Sequence, residues 1–183
     1  MHRSIWPMIS AVLTKMQLME IFLLRHGIAE ERAEHRGPDE KRALTAEGRR
    51  KMRRVVIAMR AMRLSFDAIF SSQLLRALQT AEIVVDALRL KKRLQVTEYL
   101  APGTSTRKQI AWLKSVRPVP ARVLLVGHEP NLSDLTSHLL TGDRGMAITF
   151  KKGGLCKVTA ERFGSRCANL EWLLTPKQME LMR

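Results

Sequence analysis

Two uninterrupted apolar runs, "EIFLLR" (20–25) and "RVLLVG" (122–127), limit what this chain can become more than anything else in it. Each has the length of one strand and no apolar–polar alternation, so each reads as a strand buried on both faces. "FDAIFSS" (66–72) reads as another strand, and "LQVTEYL" (94–100) as a short one. Helical spacing fills the gaps between them. Thr45 caps a predicted helix with Met52, Val55, Val56, Met59 and Met62 at its apolar positions. "LLRALQTAEIVVDAL" (74–88) places Leu74, Leu78, Ala81, Val85 and Leu88 on one side, and "STRKQIAWLKSV" (105–116) is a further helix. Asn131 or Ser133 caps the next, which Gly142 ends. In the tail, "AITF", "GLCKVTA" and "NLEWLLT" read as strands joined by glycine turns, with a short closing helix in "PKQMELM". Strands alternating with helices predict an α/β fold, a three-layer α/β/α arrangement around a mostly parallel central sheet. The final strands, joined by short turns, are expected to pair antiparallel at one edge.

The polar residues that end these runs are costly there unless something needs them. Arg25 and His26 follow the first strand, Ser71 and Ser72 end the second, and Gly127 and His128 follow the third strongly apolar one. Ligands of open parallel sheets bind beyond the carboxyl ends of the strands, so all three breaks can converge on one crevice. Arg25 and Arg76 offer planar forks suited to oxyanions, and the helix opening near Asn131 favours the same charge. A neutral imidazole is a competent nucleophile at pH 7. One of the two histidines can attack a phosphoryl group while the other steadies its equatorial oxygens. Phosphoryl transfer is mainly positioning and charge stabilisation, so the set is sufficient without a metal or other cofactor. Zinc is disfavoured for His26 and His128, because no third ligand stands at metal-site spacing and two arginines repel a cation. Gly27, lacking a Cβ, is expected to let a ligand approach the backbone. His138, one helical turn beyond Asp134, reads as structural. His2 and His35 read as solvated.

Length and composition add limits. The chain of 183 residues suits one domain, and an apolar share of 45% supports a full core. Cys156 and Cys167 lack metal-site or scaffold spacing and are expected to be reduced, as in a cytoplasmic protein. No apolar stretch approaches the ~18–20 residues that span a bilayer. Residues 1–18 read as an N-terminal extension, poorly ordered or produced by an upstream start codon, with a weak membrane-associating helix as the alternative. Residues 19–183 form the expected domain. Lys and Arg number 32 against 17 Asp and Glu, a net charge of +15, much of it in "GRRKMRR" (48–54) and "LKKR" (90–93). Such a field attracts acidic and polyanionic partners in general and says nothing about fold.

"LLRHGIAE", "SSQLLRALQTAE" (71–82) and "VLLVGHEPNLSDL" (123–135) resemble, in order, the three motifs of the histidine phosphatase superfamily, which has the phosphoglycerate mutase-like fold. Within it the chain is most similar to small phosphohistidine phosphatases of the SixA type. Only one predicted helix fits between "TEYLAPG" and the third motif, so the helical lid insertion of larger relatives is absent and an open crevice is expected. The resemblance implies that His26 is the phosphate acceptor, that Arg25 and Arg76 clamp the phosphoryl oxygens, and that His128 hydrogen-bonds the transferring group. Ser72 or the backbone near it lines the pocket. Glu98 aligns with the family's frequent proton donor, with Glu129 and Glu30 as alternative acids.

The expectation is therefore a phosphatase working through a covalent phosphohistidine, acting on phosphohistidine in proteins. The same chemistry on small phosphoesters or polyphosphate is its nearest rival. A nucleic-acid or polyanion binder on an inactive fold rests on net charge alone, without a recognition motif or exposed aromatic run.

Overall fold

The computed structural model describes residues 18–182, so the predicted N-terminal extension, apart from Leu18, lies outside the described residues. The strands are β1 (Met19–Arg25), β2 (Ala68–Ser72), β3 (Leu94–Thr97), β4 (Arg122–Gly127), β5 (Leu155–Ala160) and β6 (Ala168–Leu174). The helices are α1 (Ala46–Ala61), α2 (Leu75–Leu88), α3 (Thr106–Ser115), α4 (Asn131–Thr141) and α5 (Pro176–Glu180). The six strands form one sheet in the order β3-β2-β4-β1-β5-β6. The first four in that order are parallel, and β5 and β6 add antiparallel at one edge, as the sequence predicts.

Both faces of the sheet are covered. Ile21, Leu23, Val123 and Leu125 point into one core layer with Ile110, Leu113, Leu132, Leu135 and Leu139 of α3 and α4. The alternate residues Phe22, Leu24, Leu124 and Val126 point the other way, against Met52, Val55, Val56 and Met59 of α1, Ala81 and Val85 of α2, and Met179 of α5. This two-sided burial explains why β1 and β4 show no alternation in sequence. Cys156 and Cys167 are free thiols. No helix among the described residues is long and apolar enough to cross a membrane.

Three local expectations are corrected. "AITF" is not a strand. It is apolar because Phe150 is buried, with Ile148 packed beside it, in the core layer beneath α3 and α4. The strand predicted over 94–100 stops at Thr97, whose hydroxyl accepts the Tyr99 N–H and turns the chain into a 3-10 turn, Glu98–Leu100. Finally, neither Asn131 nor Ser133 caps α4, whose N-cap is Pro130. The Asn131 amide donates instead to the carbonyl of Thr104 (2.6 Å). Gly142, at φ 93°, ends α4 in the left-handed conformation expected of it.

Candidate active site

Sheet register builds the centre of the site. β1 and β4 are neighbours, and Arg25 pairs with Gly127 at their carboxyl ends. The next backbone bond, His26 N–H to Gly127 C=O (3.1 Å), holds His26 beside His128. Their ring centroids are 5.0 Å apart at an interplanar angle of 54°. β2 lies on the other side of β4 and ends at Ser72, whose Oγ is 2.9 Å from His128 Nε2. Arg76 enters from the first turn of α2. One turn later, the Thr80 hydroxyl donates to the Arg76 carbonyl (2.7 Å) and accepts the Gly27 N–H (3.1 Å). That link fixes α2 against the turn that carries His26.

Each guanidinium is anchored along one edge. Arg25 Nη1 donates to the Phe150 carbonyl at 2.6 Å. Arg76 Nη1 donates to the Asp39 carbonyl and Nη2 to Asp39 Oδ2, both at 2.9 Å. Asp39 Oδ1 also accepts Arg42 Nε at 2.8 Å. Burial alone would raise the Asp39 pKa, but the Arg76 and Arg42 guanidiniums hold it below the usual carboxylate range. Around the two histidines, Arg25 Nε, Arg76 Nε and His128 Nδ1 are among the buried polar atoms left without a partner. A buried polar atom without a partner costs about 1–3 kcal/mol, and two guanidiniums beside two imidazoles make this an environment that favours an anion.

Both histidines are neutral. Burial lowers the His26 pKa to about 3, with the Arg76, Arg25 and Lys152 charges acting in the same direction against the Gly27 carbonyl. Burial takes His128 to about 2, helped by His26 and Arg76. The His26 Nδ1 lies 2.7 Å from the Gly27 carbonyl oxygen, an acceptor only, so Nδ1 carries the proton. The other ring nitrogen, Nε2, therefore keeps its lone pair.

The predicted residues divide clearly. Arg25, His26, Ser72, Arg76 and His128 come together. Gly27 is adjacent, but the physical reason for glycine is corrected: a Cβ there would meet Met52 Cγ at 2.8 Å, so it makes room for α1 rather than for a ligand. Glu98 is exposed and lines an open groove with Gln73, Tyr99, Lys108 and Trp112. Glu30 is engaged by His35, whose Nδ1 lies 2.9 Å from Glu30 Oε2; His35 is half-buried, contrary to the solvated position predicted for it. Glu129, next to His128, is half-buried, and its Oε1 is buried without a partner. Burial pushes its pKa up, against the opposing hydrogen bond from Ser133 and the charge of Arg25. No group of three or more His, Cys, Asp or Glu stands together as a metal site among the described residues.

Asp39, Thr80 and the Phe150 carbonyl were not legible as site components. Asp39 sits in a loop so rich in charge that no pattern singles it out. Thr80 lies in the second motif's Gln-Thr pair, which was the available signal.

Comparison with known proteins agrees with this geometry. Residues 21–101 match the family described as histidine phosphatase superfamily (branch 1). An uncharacterized protein of Picosynechococcus is 36% identical over 160 residues, covering 86% of this chain and 96% of its own length. The phosphohistidine phosphatase SixA of Escherichia coli is 26% identical over 166 residues, covering 90% and 99%. Among solved structures, the protein histidine phosphatase SixA complexed with tungstate superposes with a TM-score of 0.75 at 25% identity, over 87% of this chain and 98% of that one. The alpha-ribazole phosphatase of Shigella flexneri shares the fold at TM-score 0.67 and 18% identity, over 86% and 97%.

Proposed function

The chain belongs to the histidine phosphatase superfamily, and from that membership we propose that it dephosphorylates phosphohistidine in proteins through a covalent intermediate on His26. The observation that carries this reading is the His26 tautomer. With Nδ1–H committed to the Gly27 carbonyl, the Nε2 lone pair is held ready beside two arginines.

In the first step Nε2 of His26 attacks phosphorus, and the P–N bond to the substrate imidazole breaks. The leaving nitrogen takes a proton from a protein acid. In the second step water attacks the phosphohistidine and returns a proton to the same acid, now a carboxylate. The P–N bond to Nε2 breaks, the neutral imidazole returns, and inorganic phosphate leaves. Arg25 and Arg76 neutralise the equatorial oxygens through the N–H groups their anchors leave free. With the Ser72 hydroxyl donating to its Nε2, His128 carries its proton on Nδ1, the atom without a partner, and offers it to the same oxygens.

Glu129 is the best-placed acid: it adjoins His128, and burial favours its protonated form. Glu98, exposed on the neighbouring groove, is the rival donor. In Glu129→Gln, kcat on a phosphohistidine peptide should drop about 10–100-fold, within the usual range for a lost general acid. The wild-type fall in kcat toward high pH should disappear with it. Loss of that limb in Glu98→Gln, with Glu129→Gln unaffected, would reverse the assignment.

The central test is a rapid quench with a radiolabelled phosphodonor. Acid-labile label on His26 is expected, absent in His26→Ala, with turnover on phosphohistidine peptide exceeding that on sugar phosphates and polyphosphate. Label on another residue, or turnover surviving His26→Ala, would refute the mechanism. Preference for a sugar phosphate would refute the substrate.

A further inference from the structure

The basic runs "GRRKMRR" and "LKKR" take no part in the site, yet they account for much of the charge. Residues 46–93 contain twelve Lys and Arg against four Asp and Glu, so about a quarter of the chain carries more than half of the excess of +15. The fold gathers this charge on the layer made by α1, α2 and the turn after α2. Between α1 and α2 runs an open groove of about 590 Å3. Arg49, Arg53 and Arg60 of α1 line it. They are spaced i, i+4 and i+11, one face of a helix. Ile57, 48% exposed, and Ile83 contribute an apolar floor.

Part of this charge is taken up within the layer itself. Lys51 and Arg54, which do not line the groove, are engaged by Glu47 (2.8 Å) and Glu180 (3.6 Å). Among the described residues Arg49, Arg53 and Arg60 make no ion pair. On the opposite bank Asp86 is already taken by Lys91 (3.0 Å), and Glu82 is the other carboxylate. One lining residue stands close in sequence to the site. Gln79 lies one helical turn beyond Arg76, and its side-chain oxygen accepts the Leu44 N–H (2.8 Å) in the loop that carries Asp39.

We propose that the α1–α2 groove docks the phosphorylated substrate protein through an acidic amphipathic helix. This rests on the phosphatase reading above and adds where, and by what chemistry, the partner is held. The helix would set its apolar stripe on Ile57 and Ile83 and its carboxylates against the three unpaired arginines. The other polyanions fit less well. A nucleic-acid backbone gains nothing from an apolar floor and carries charge along its whole length, so it meets Glu82 on the far bank, whereas an amphipathic helix can keep its carboxylates on the arginine side. A flat anionic bilayer cannot follow a concave groove. Arginine pairs well with carboxylates, and unpaired rim charges act mainly on encounter and specificity.

Three probes separate the parts of this claim: a small phosphoramidate, a phosphohistidine peptide in a Glu-rich amphipathic helix, and the same peptide with Lys in place of Glu. The wild type should prefer the Glu-rich peptide, and this preference should shrink at about 0.5 M salt. In Arg49→Glu/Arg53→Glu/Arg60→Glu, kcat/KM on that peptide should fall about tenfold or more through KM, with phosphoramidate turnover unchanged. Ile57→Asp, a single exposed change, should act in the same direction and serves if the triple variant folds poorly. Fluorescence anisotropy of the unphosphorylated Glu-rich peptide should show binding to the wild type that both variants lose. Equal handling of the two peptides, or no effect of the variants, overturns the docking proposal while phosphoramidate turnover leaves the phosphatase reading standing. Absence of turnover on every probe, with peptide binding intact, does the reverse. Tighter binding of anionic phospholipid vesicles or duplex DNA than of the peptide, lost in the same variants, overturns the choice of partner.

Discussion

Asp39 shows how one residue can set the geometry of a buried guanidinium, that of Arg76, which the proposed mechanism uses to hold phosphate. It takes both terminal nitrogens of Arg76, through its backbone oxygen and through Oδ2, and leaves Nε free. Arg76 is only 4% exposed, so without that carboxylate its charge would be poorly compensated. Asp39→Asn keeps the shape and removes the charge. We expect kcat/KM on phosphoramidate to fall about 10–100-fold, the equivalent of one charge-assisted hydrogen bond. Asp39→Glu should restore part of it. Steady-state kinetics would show this, and unchanged kinetics in Asp39→Asn would remove Asp39 from any positioning role.

Helix α1 sits where it does because of two residues at its start. Thr45 accepts the Gly48 N–H with its hydroxyl (3.0 Å), a conventional cap worth about 1 kcal/mol. Gly48 is a matter of contact. A Cβ there would lie 1.9 Å from the Ile28 carbonyl oxygen, which also accepts the Thr45 N–H at 3.0 Å. The helix start is therefore pressed against the strand of chain leaving His26. Gly48→Ala must move one against the other, although alanine is the better helix former. A loss of about 1–3 kcal/mol is expected, the usual cost of overpacking. Urea unfolding would measure it, and a stabilised Gly48→Ala would show that the contact yields freely.

For the molecule as a whole, the buried pair of histidines links stability to pH. Both have folded pKa values far below the unfolded value of 6.5, at about 3 for His26 and about 2 for His128. Below pH 6.5 the unfolded chain takes up protons that the folded one refuses. Their contribution to stability is thus complete above 6.5 and drains away as pH falls toward 3, at about 1.4 kcal/mol per pH unit for each histidine. Glu129, with its raised pKa, opposes this by one group. Urea midpoints measured from pH 7 to 4 should fall for the wild type and fall less for His26→Ala. Parallel curves would contradict neutral burial of His26.

The amino-acid sequence by itself determined the elements and the break points. Apolar runs and helical spacing are local signals, written within a few residues of one another, and they placed β1, β2, β4 and the main helices. The same runs marked where polar residues interrupt them, which is why Arg25, His26, Ser72, Arg76 and His128 were legible before any coordinates. Only the tertiary structure decided what lies against what. Asp39 reaches Arg76 across 37 residues, Arg25 reaches the Phe150 carbonyl across 125, and the space beside Gly27 is taken by Met52. It also decided that "AITF" packs without pairing and that two basic runs border one helical layer. The physical reason is range. A period repeats within one element and can be read there, whereas a long-range contact exists only once sheet register and helix packing have brought distant residues together.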